Sequence, residues 1–195
     1  MKTFAISFVF LFILFSCSSI KKENDYKTVG KISTPKGEIL FLLSDLTPNH
    51  KNSFIKLAQE KYWDTLTFNR VIKDFVIQGG CPDTPEGFAD SPYLIKPEFH
   101  DSLRHIYGAV GIGRDDNPEK LSAGCQFYIV HNKKGIPRLD GKYMIIGQVF
   151  KGFEVLEAIG NTPTNKQDEP LIPIPIKVRT IRMSTKEISK ATLHY

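Results

Sequence analysis

Short β-prone runs separated by turn-forming residues dominate the chain from about residue 28 onward. Val29 to Ser33 and Glu38 to Leu43 predict two strands, and Pro35-Lys36-Gly37 between them predicts the turn of a β-hairpin. The same pattern predicts further strands at 67–72, 75–78, 109–112, 126–130, 143–149 and 174–183. Gly79-Gly80 is expected to end the strand at 75–78.

One long segment has helical rather than strand periodicity. Thr47-Pro48 suits a helix start, because Thr is a good cap and Pro fits the first helical position. Phe54, Leu57 and Ala58 follow at i, i+3 and i+4, so the helix has one apolar face. We expect it to end near Lys61-Tyr62.

The order of these elements favours an all-antiparallel fold. A second short helix is predicted from Phe153 to Ile159, stopped by Gly160. Because strands do not alternate regularly with helices, a parallel α/β sheet is disfavoured. A mainly β, closed antiparallel barrel of about eight strands capped by two helices fits better, since closure removes exposed strand edges.

The N-terminus has the features of a targeting segment. Lys2 is followed by an uncharged apolar run from Thr3 to Ser16, which is too short for an ordinary membrane span. The run ends in Leu14-Phe15-Ser16-Cys17, which resembles a bacterial lipoprotein signal. That resemblance implies cleavage before Cys17 and lipidation of Cys17, and an ordinary secretory signal with a stray cysteine is the alternative.

The chain is therefore expected to have four parts. These are a signal peptide (1–16), a lipidated tether (17–27), a folded domain (28–184) and a polar C-terminal tail (185–195).

Charge and cysteine content narrow the possible partners. The net charge is only +5, with acidic and basic residues interspersed, so nucleic-acid binding is not expected. Cys81 and Cys125 are not part of a metal-binding motif, and no metal or cofactor is expected. In an oxidising envelope a disulfide between them is favoured, with two separate buried thiols as the alternative.

Familiar catalytic templates are missing from the sequence, and three segments carry the candidate chemistry instead. There is no Gly-x-Ser-x-Gly elbow and no phosphate-binding loop. The three segments are Phe68 to Gly80 (FNRVIKDFVIQGG), Ala123 to Val130 (AGCQFYIV) and Leu139 to Gly147 (LDGKYMIIG). In their order and spacing they resemble the cyclophilin family, and the resemblance extends from about Val29 to about Met183.

The resemblance implies a cyclophilin-like β-barrel and a site for proline peptides. It implies that Arg70 is the catalytic arginine, that Gln78 holds it, and that Gln126 is a second catalytic glutamine in the pocket. The implied substrate-binding residues are Phe75, Val76, Gly113, Arg114, Tyr128, Leu139 and Tyr143.

Five positions depart from the family pattern. Asn69 stands in place of a His, Tyr128 in place of a Phe, and Cys125 in place of a Ser. Arg138 stands where eukaryotic cyclophilins often have the Trp that contacts cyclosporin, and Tyr143 where many have a His. None touches the Arg70–glutamine core, so we expect activity to persist and cyclosporin sensitivity to be low.

The expected function is peptidyl-prolyl cis–trans isomerisation of envelope proteins. The enzyme would be a monomer, anchored in the membrane through Cys17 with its domain outside the cytoplasm, acting on proline-containing polypeptides. The alternative is a non-catalytic proline-binding or scaffold lipoprotein on the same fold. Arg70 together with Gln78 and Gln126 favours the enzyme.

Overall fold

The computed structural model describes residues 25–82 and 93–192. The strands in these ranges are β1 (Tyr26–Thr34), β2 (Gly37–Leu43), β3 (Thr67–Ile72), β4 (Val76–Gly80), β5 (Leu94–Ile95), β6 (Ala109–Ile112), β7 (Ser122–Ala123), β8 (Gln126–Val130), β9 (Met144–Lys151), β10 (Ile174–Pro175) and β11 (Lys177–Ser184). The helices are α1 (Pro48–Gln59), α2 (Phe153–Gly160) and α3 (Thr185–Thr192), with 3-10 turns at Tyr62–Thr65 and Pro137–Leu139. The predicted signal peptide, Cys17 and most of the tether lie outside the described residues.

Nine strands form one curled antiparallel sheet. Their order is β10-β3-β4-β8-β6-β9-β2-β1-β11, and the described part of the chain also holds a two-stranded β5-β7 sheet. The two edge strands, β10 and β11, are consecutive in the chain and separated only by Ile176. The mainly β, antiparallel fold predicted from the sequence is confirmed, and the curled sheet of nine strands forms a half-barrel where a closed barrel of about eight strands was expected.

The main hydrophobic core lies between one face of this sheet and helices α1 and α2. The fully buried aromatic side chains in it include Phe41, Phe54, Trp63 and Phe127. Strand β8 is buried along its whole length, because its alternate side chains enter clusters on opposite faces of the sheet. That two-sided burial explains why 126–130 is a continuous β-prone run.

Helix α1 begins where predicted but is capped differently. Thr47 makes no side-chain capping bond, and its buried hydroxyl has no hydrogen-bond partner in the described structure. The free N–H groups of Asn49 and His50 instead donate to the carboxylate of Glu98, each at 3.0 Å. An anionic side chain from a distant loop thus satisfies the helix start.

The predicted strand boundaries hold for β3, β6 and β8, and those of β1, β2 and β9 lie within three residues of the prediction. Two further differences have structural causes. Strand β4 continues through Gly79-Gly80, because a side chain at Gly80 would collide with the carbonyl of Cys125 on the paired strand. The predicted closing strand is divided at Ile176, whose N–H donates to the carbonyl of Leu66 at 3.1 Å.

The region expected to be a polar tail contains a third helix. Ser184 and Glu187 start α3 with reciprocal hydrogen bonds, in which each side chain accepts from the other's backbone N–H. Ile188 is only 8% exposed and packs with Val29, Leu40 and Phe150 on the face of the sheet opposite the main core. Ile188 and Ala191 are the residues of α3 in this apolar cluster, too few for a periodic signal that predicts a helix.

No helix in residues 25–82 or 93–192 has the length and apolar character needed to cross a membrane.

Candidate active site

A β-bulge in strand β3 places Arg70 on the face of the sheet opposite the main core. The register with β4 shifts between Phe68 and Arg70, so Asn69 is the extra residue. Phe68 and Val71 can therefore both enter the main core although they are three residues apart. The Arg70 side chain is left 38% exposed on the other face.

Arg70 stands in a cross-strand row with two of the predicted site residues. Arg70 pairs with Gln78, Gln78 pairs with Tyr128, and Tyr128 pairs with Gly111. Side chains of directly paired residues share one face of a sheet. Gln126 lies two residues before Tyr128 on β8 and therefore on the same face.

Beside this row lies a hydrophobic cluster that we call the cup. It brings together all five predicted apolar and aromatic wall residues, from three separate segments of the chain. Phe75 and Tyr143 are only partly buried, so the cup is open to solvent on their side. The cup consists of Phe75, Val76, Leu103, Ala109, Tyr128, Val130, Ile136, Leu139, Tyr143 and Ile145.

Two positions must be glycine because the side chains of Tyr128 and Gln126 occupy the space beside them. A side chain at Gly111 would occupy the position of the Tyr128 ring, and one at Gly113 would occupy that of the Gln126 amide. Gly113 also donates its N–H to the Gln126 carbonyl at 3.0 Å. The structure therefore places Gly113 directly against Gln126.

A disulfide between Cys81 and Cys125 confirms the pairing favoured from the sequence. The two Cα atoms are 5.5 Å apart, at the end of β4 and the start of β8. The side-chain amide of Gln126 donates to the Cys81 carbonyl at 3.0 Å. The crosslinked segment therefore fixes one side of the predicted pocket glutamine.

The neighbour of Arg70 differs from the expected one. Although Gln78 is its backbone partner, no side-chain hydrogen bond joins the two residues in the part of the chain that the structure describes. The Arg70 guanidinium instead lies 3.7 Å from the carboxylate of Asp168. Asp168 is held there because its carbonyl accepts the N–H of Val71 at 2.8 Å.

Two further arginines lie on the rim of the cup. Arg114 is 4.8 Å above the Tyr143 ring and donates to the Lys142 carbonyl at 2.9 Å. Arg138 is 5.0 Å above the Phe75 ring. Each partly buried aromatic of the cup is thus covered by a guanidinium, a favourable arrangement of a cation over a π face.

Sequence reasoning missed a hydrogen-bonded chain behind Tyr128. His105 Nε2 lies 2.7 Å from the Tyr128 hydroxyl, and His105 Nδ1 lies 2.8 Å from Asp140. Asp140 belongs to the Leu-Asp-Gly segment already singled out, which was an available signal. Nothing in the local sequence marks His105, because its partners are 23 and 35 residues away.

A cavity of about 280 Å³ adjoins the cup. It shares Leu103, Tyr143 and Ile145 with the cup but does not reach Arg70. The predicted chemistry therefore lies on the open face of the sheet beside this cavity rather than inside it.

Comparison with known proteins gives one consistent family. The profile of "Cyclophilin type peptidyl-prolyl cis-trans isomerase/CLD" matches residues 29–181. A Neurospora crassa protein named peptidyl-prolyl cis-trans isomerase-like 1 is 35% identical over 151 residues, covering 76% of this chain and 90% of that protein. A putative peptidyl-prolyl cis-trans isomerase of Staphylococcus aureus is 31% identical over 185 residues, covering 80% and 91%.

A solved structure shows the same architecture. The crystal structure of a Cryptosporidium parvum cyclophilin type peptidyl-prolyl cis-trans isomerase is similar with a TM-score of 0.68 and 26% identity. The match covers 80% of this chain and 98% of that one. A second structure of that protein was determined in the presence of the dipeptide Ala-Pro.

Proposed function

This chain belongs to the cyclophilin-type peptidyl-prolyl cis–trans isomerases, and we propose that it isomerises X-Pro bonds in bacterial envelope proteins from a lipid anchor at Cys17. The observation that supports the site is the row of Arg70, Gln78 and Tyr128 at the edge of the cup. An exposed cation beside an open apolar cup suits a chain that carries a proline ring next to a polar amide.

The reaction needs electrostatic help rather than a nucleophile. Rotation about a peptide bond faces a barrier of roughly 18–20 kcal/mol, because resonance shares the nitrogen lone pair with the carbonyl. In the twisted state that lone pair is localised on the prolyl nitrogen. We infer that the Arg70 guanidinium donates a hydrogen bond to this nitrogen, which favours the twisted amide over both planar forms.

The cup supplies the fixed point for the rotation. The proline ring is apolar, and Val76, Leu139 and the two tyrosine rings offer an apolar surface of matching character. We infer that Gln126, whose side-chain amide donates to the Cys81 carbonyl and contacts Gly113, contributes to binding of the client backbone on that side. With the ring held, the carbonyl before proline is the part that turns.

Asp168 would be the partner of Arg70 while no client is bound. A carboxylate 3.7 Å away favours one orientation of the guanidinium without burying it. The pair is exposed and therefore weak, at most about 1 kcal/mol, so a bound client can compete with it.

Two features support the envelope location. The uncharged run from Thr3 to Ser16 ends at Cys17, in a segment that lies outside the described residues. The Cys81–Cys125 disulfide suits a compartment in which thiols are oxidised. Proline-containing polypeptides passing through the envelope are the clients that this location would offer.

Replacing Cys17 tests the anchor. We expect Cys17→Ser to prevent lipidation, so that a labelled fatty acid no longer attaches and the protein is released from membranes or left unprocessed. Cys81→Ser with Cys125→Ser is the matched control, because it removes cysteines while keeping the anchor. If the wild-type chain takes up no fatty acid, the lipoprotein part of the proposal is wrong.

A further inference from the structure

A buried chain of three polar groups supports one wall of the cup. His105 is 2% exposed and Tyr128 is 4% exposed, and their rings lie nearly parallel with centroids 6.0 Å apart. Asp140 accepts twice from His105, from the backbone N–H at 2.9 Å and from the ring at 2.8 Å. The imidazole is therefore held at both ring nitrogens, by Asp140 at Nδ1 and by Tyr128 at Nε2, while the backbone carbonyl of His105 accepts the N–H of Ile136 at 2.7 Å.

The electrostatics of the three groups determine the direction of each hydrogen bond. Burial raises the pKa of Asp140, but the hydrogen bonds from His105 lower it overall, so the carboxylate is ionised and can only accept. His105 Nδ1 must therefore carry the proton. Burial lowers the pKa of His105 more than Asp140 raises it, which keeps the ring neutral and leaves Nε2 as an acceptor.

Tyr128 is consequently the donor to Nε2. Burial raises the pKa of its hydroxyl well above the ordinary value, so the hydroxyl keeps its proton. That proton points at His105 and away from the remainder of the cup. The tyrosine then offers the proline ring an aromatic surface without a free donor, much as a phenylalanine would.

We propose that His105, backed by Asp140, is a positioning residue for isomerisation, holding the Tyr128 hydroxyl proton so that the proline cup keeps a rigid wall without a free donor. The proposal rests on the isomerase activity and adds a requirement to it. A tyrosine at this wall is compatible with an apolar cup only while the imidazole accepts its proton.

Acidification reverses the arrangement. A protonated His105 has N–H groups on both ring nitrogens, so Nε2 can only donate to the Tyr128 oxygen. The hydroxyl proton must then turn into the cup, where a proline ring offers no acceptor. The charged and titratable groups around His105 are Asp140 and Tyr128, with Arg104 beside Asp140 at 3.5 Å and Tyr143 beside Tyr128.

Two substitutions of His105 by an amide side chain distinguish the contact made by Nδ1 from the contact made by Nε2. The amide of Asn reaches as far as Nδ1, and the amide of Gln reaches as far as Nε2. His105→Asn therefore keeps a donor for Asp140 but gives Tyr128 no acceptor, and we expect kcat/KM for a proline peptide to fall about tenfold, as for one unsatisfied buried hydroxyl. His105→Gln provides an acceptor for Tyr128, so it should recover most of that loss.

The same His105→Asn change in a Tyr128→Phe background completes a double-mutant cycle. In that background His105→Asn should lower kcat/KM by less than about twofold, because no hydroxyl needs an acceptor. Melting temperatures of all variants, measured alongside, separate a loss of folded protein from a loss of catalysis. Equal loss in both backgrounds would contradict the proposal.

The pH profile provides a readout that a purely structural role would not change. Activity measured by NMR exchange should fall in acid below the ordinary imidazole pKa of 6.5, because the pKa of His105 is lowered. Tyr128→Phe and His105→Gln should each remove that fall, since one lacks the hydroxyl and the other cannot be protonated in this range. An acid fall that persists unchanged in both variants would overturn the proposal.

Discussion

Arg70 illustrates what a single residue's sequence context can and cannot predict. Three motifs in order identified Arg70, Gln78 and Gln126, and the structure brings all three to one face of the sheet. The contact of Arg70 with Asp168 was not predictable, because the two residues are far apart in the sequence and Asp168 lies in a loop without a motif. His105 was missed for the same reason, since its role depends only on partners distant in the chain.

Arg138 carries a prediction about inhibition. Its guanidinium lies 5.0 Å from the centre of the Phe75 ring. The resemblance to cyclophilins implies that cyclosporin-sensitive members have an aromatic ring at this position. We expect cyclosporin to bind weakly, and Arg138→Trp to tighten binding up to about tenfold, roughly the energy of one aromatic contact.

Arg138→Lys is the control for that experiment, because it keeps the cation without adding a ring and should leave binding weak. Isothermal titration calorimetry gives the dissociation constants directly. Nanomolar binding by the wild-type protein would contradict this account of Arg138.

At the scale of elements, β6 and β8 were predicted from apolar runs that are buried on both faces and β3 from its β-prone residues, whereas irregular pairing made other strand boundaries hard to predict. Strands β3, β6 and β8 have the predicted boundaries. Strand β4 was predicted too short, because glycine usually ends a strand, whereas here Gly79-Gly80 allow β4 and β8 to pair closely. Helix α3 was missed although Ser184 and Glu187 cap its start, because its residues are mostly polar and its apolar contacts are made with the sheet beneath it.

The pairing of β4 with β8 leads to a prediction about the disulfide. Cys81 and Cys125 close a loop with a sequence separation of 44, for which the loop-entropy treatment allows about 4 kcal/mol of stabilisation. We expect the unfolded protein to show no free thiol at these positions under non-reducing conditions. Reduction should lower the denaturant midpoint.

A variant carrying both Cys81→Ser and Cys125→Ser is the matched control, because its stability should not respond to reductant. Thiol titration and urea unfolding, with and without reductant, provide the two readouts. Two titratable thiols in the unreduced wild-type protein would contradict the crosslink.

At the scale of the whole molecule, the sheet separates stability from function. One face carries the main core with helices α1 and α2, while the other carries the cup and the row containing Arg70. Polar and exposed groups of the site can therefore change without creating cavities in the main core. The sequence predicted this class of fold, but the half-barrel and its third helix depend on tertiary packing that the hydrophobic pattern does not record.

The central claim is that this face isomerises X-Pro bonds and that Arg70 is the group responsible. The most direct measurement is the exchange rate between cis and trans forms of an Ala-Pro peptide, by NMR exchange spectroscopy with purified protein. The wild-type chain should accelerate exchange, and Arg70→Ala should reduce kcat/KM by about 100-fold, the usual cost of removing one preorganised donor. Its melting temperature should change little, because the side chain is 38% exposed. Arg182→Ala, which removes an exposed arginine from β11, is the control and should match the wild type. Full turnover by Arg70→Ala, or no acceleration by the wild-type chain, would contradict the account.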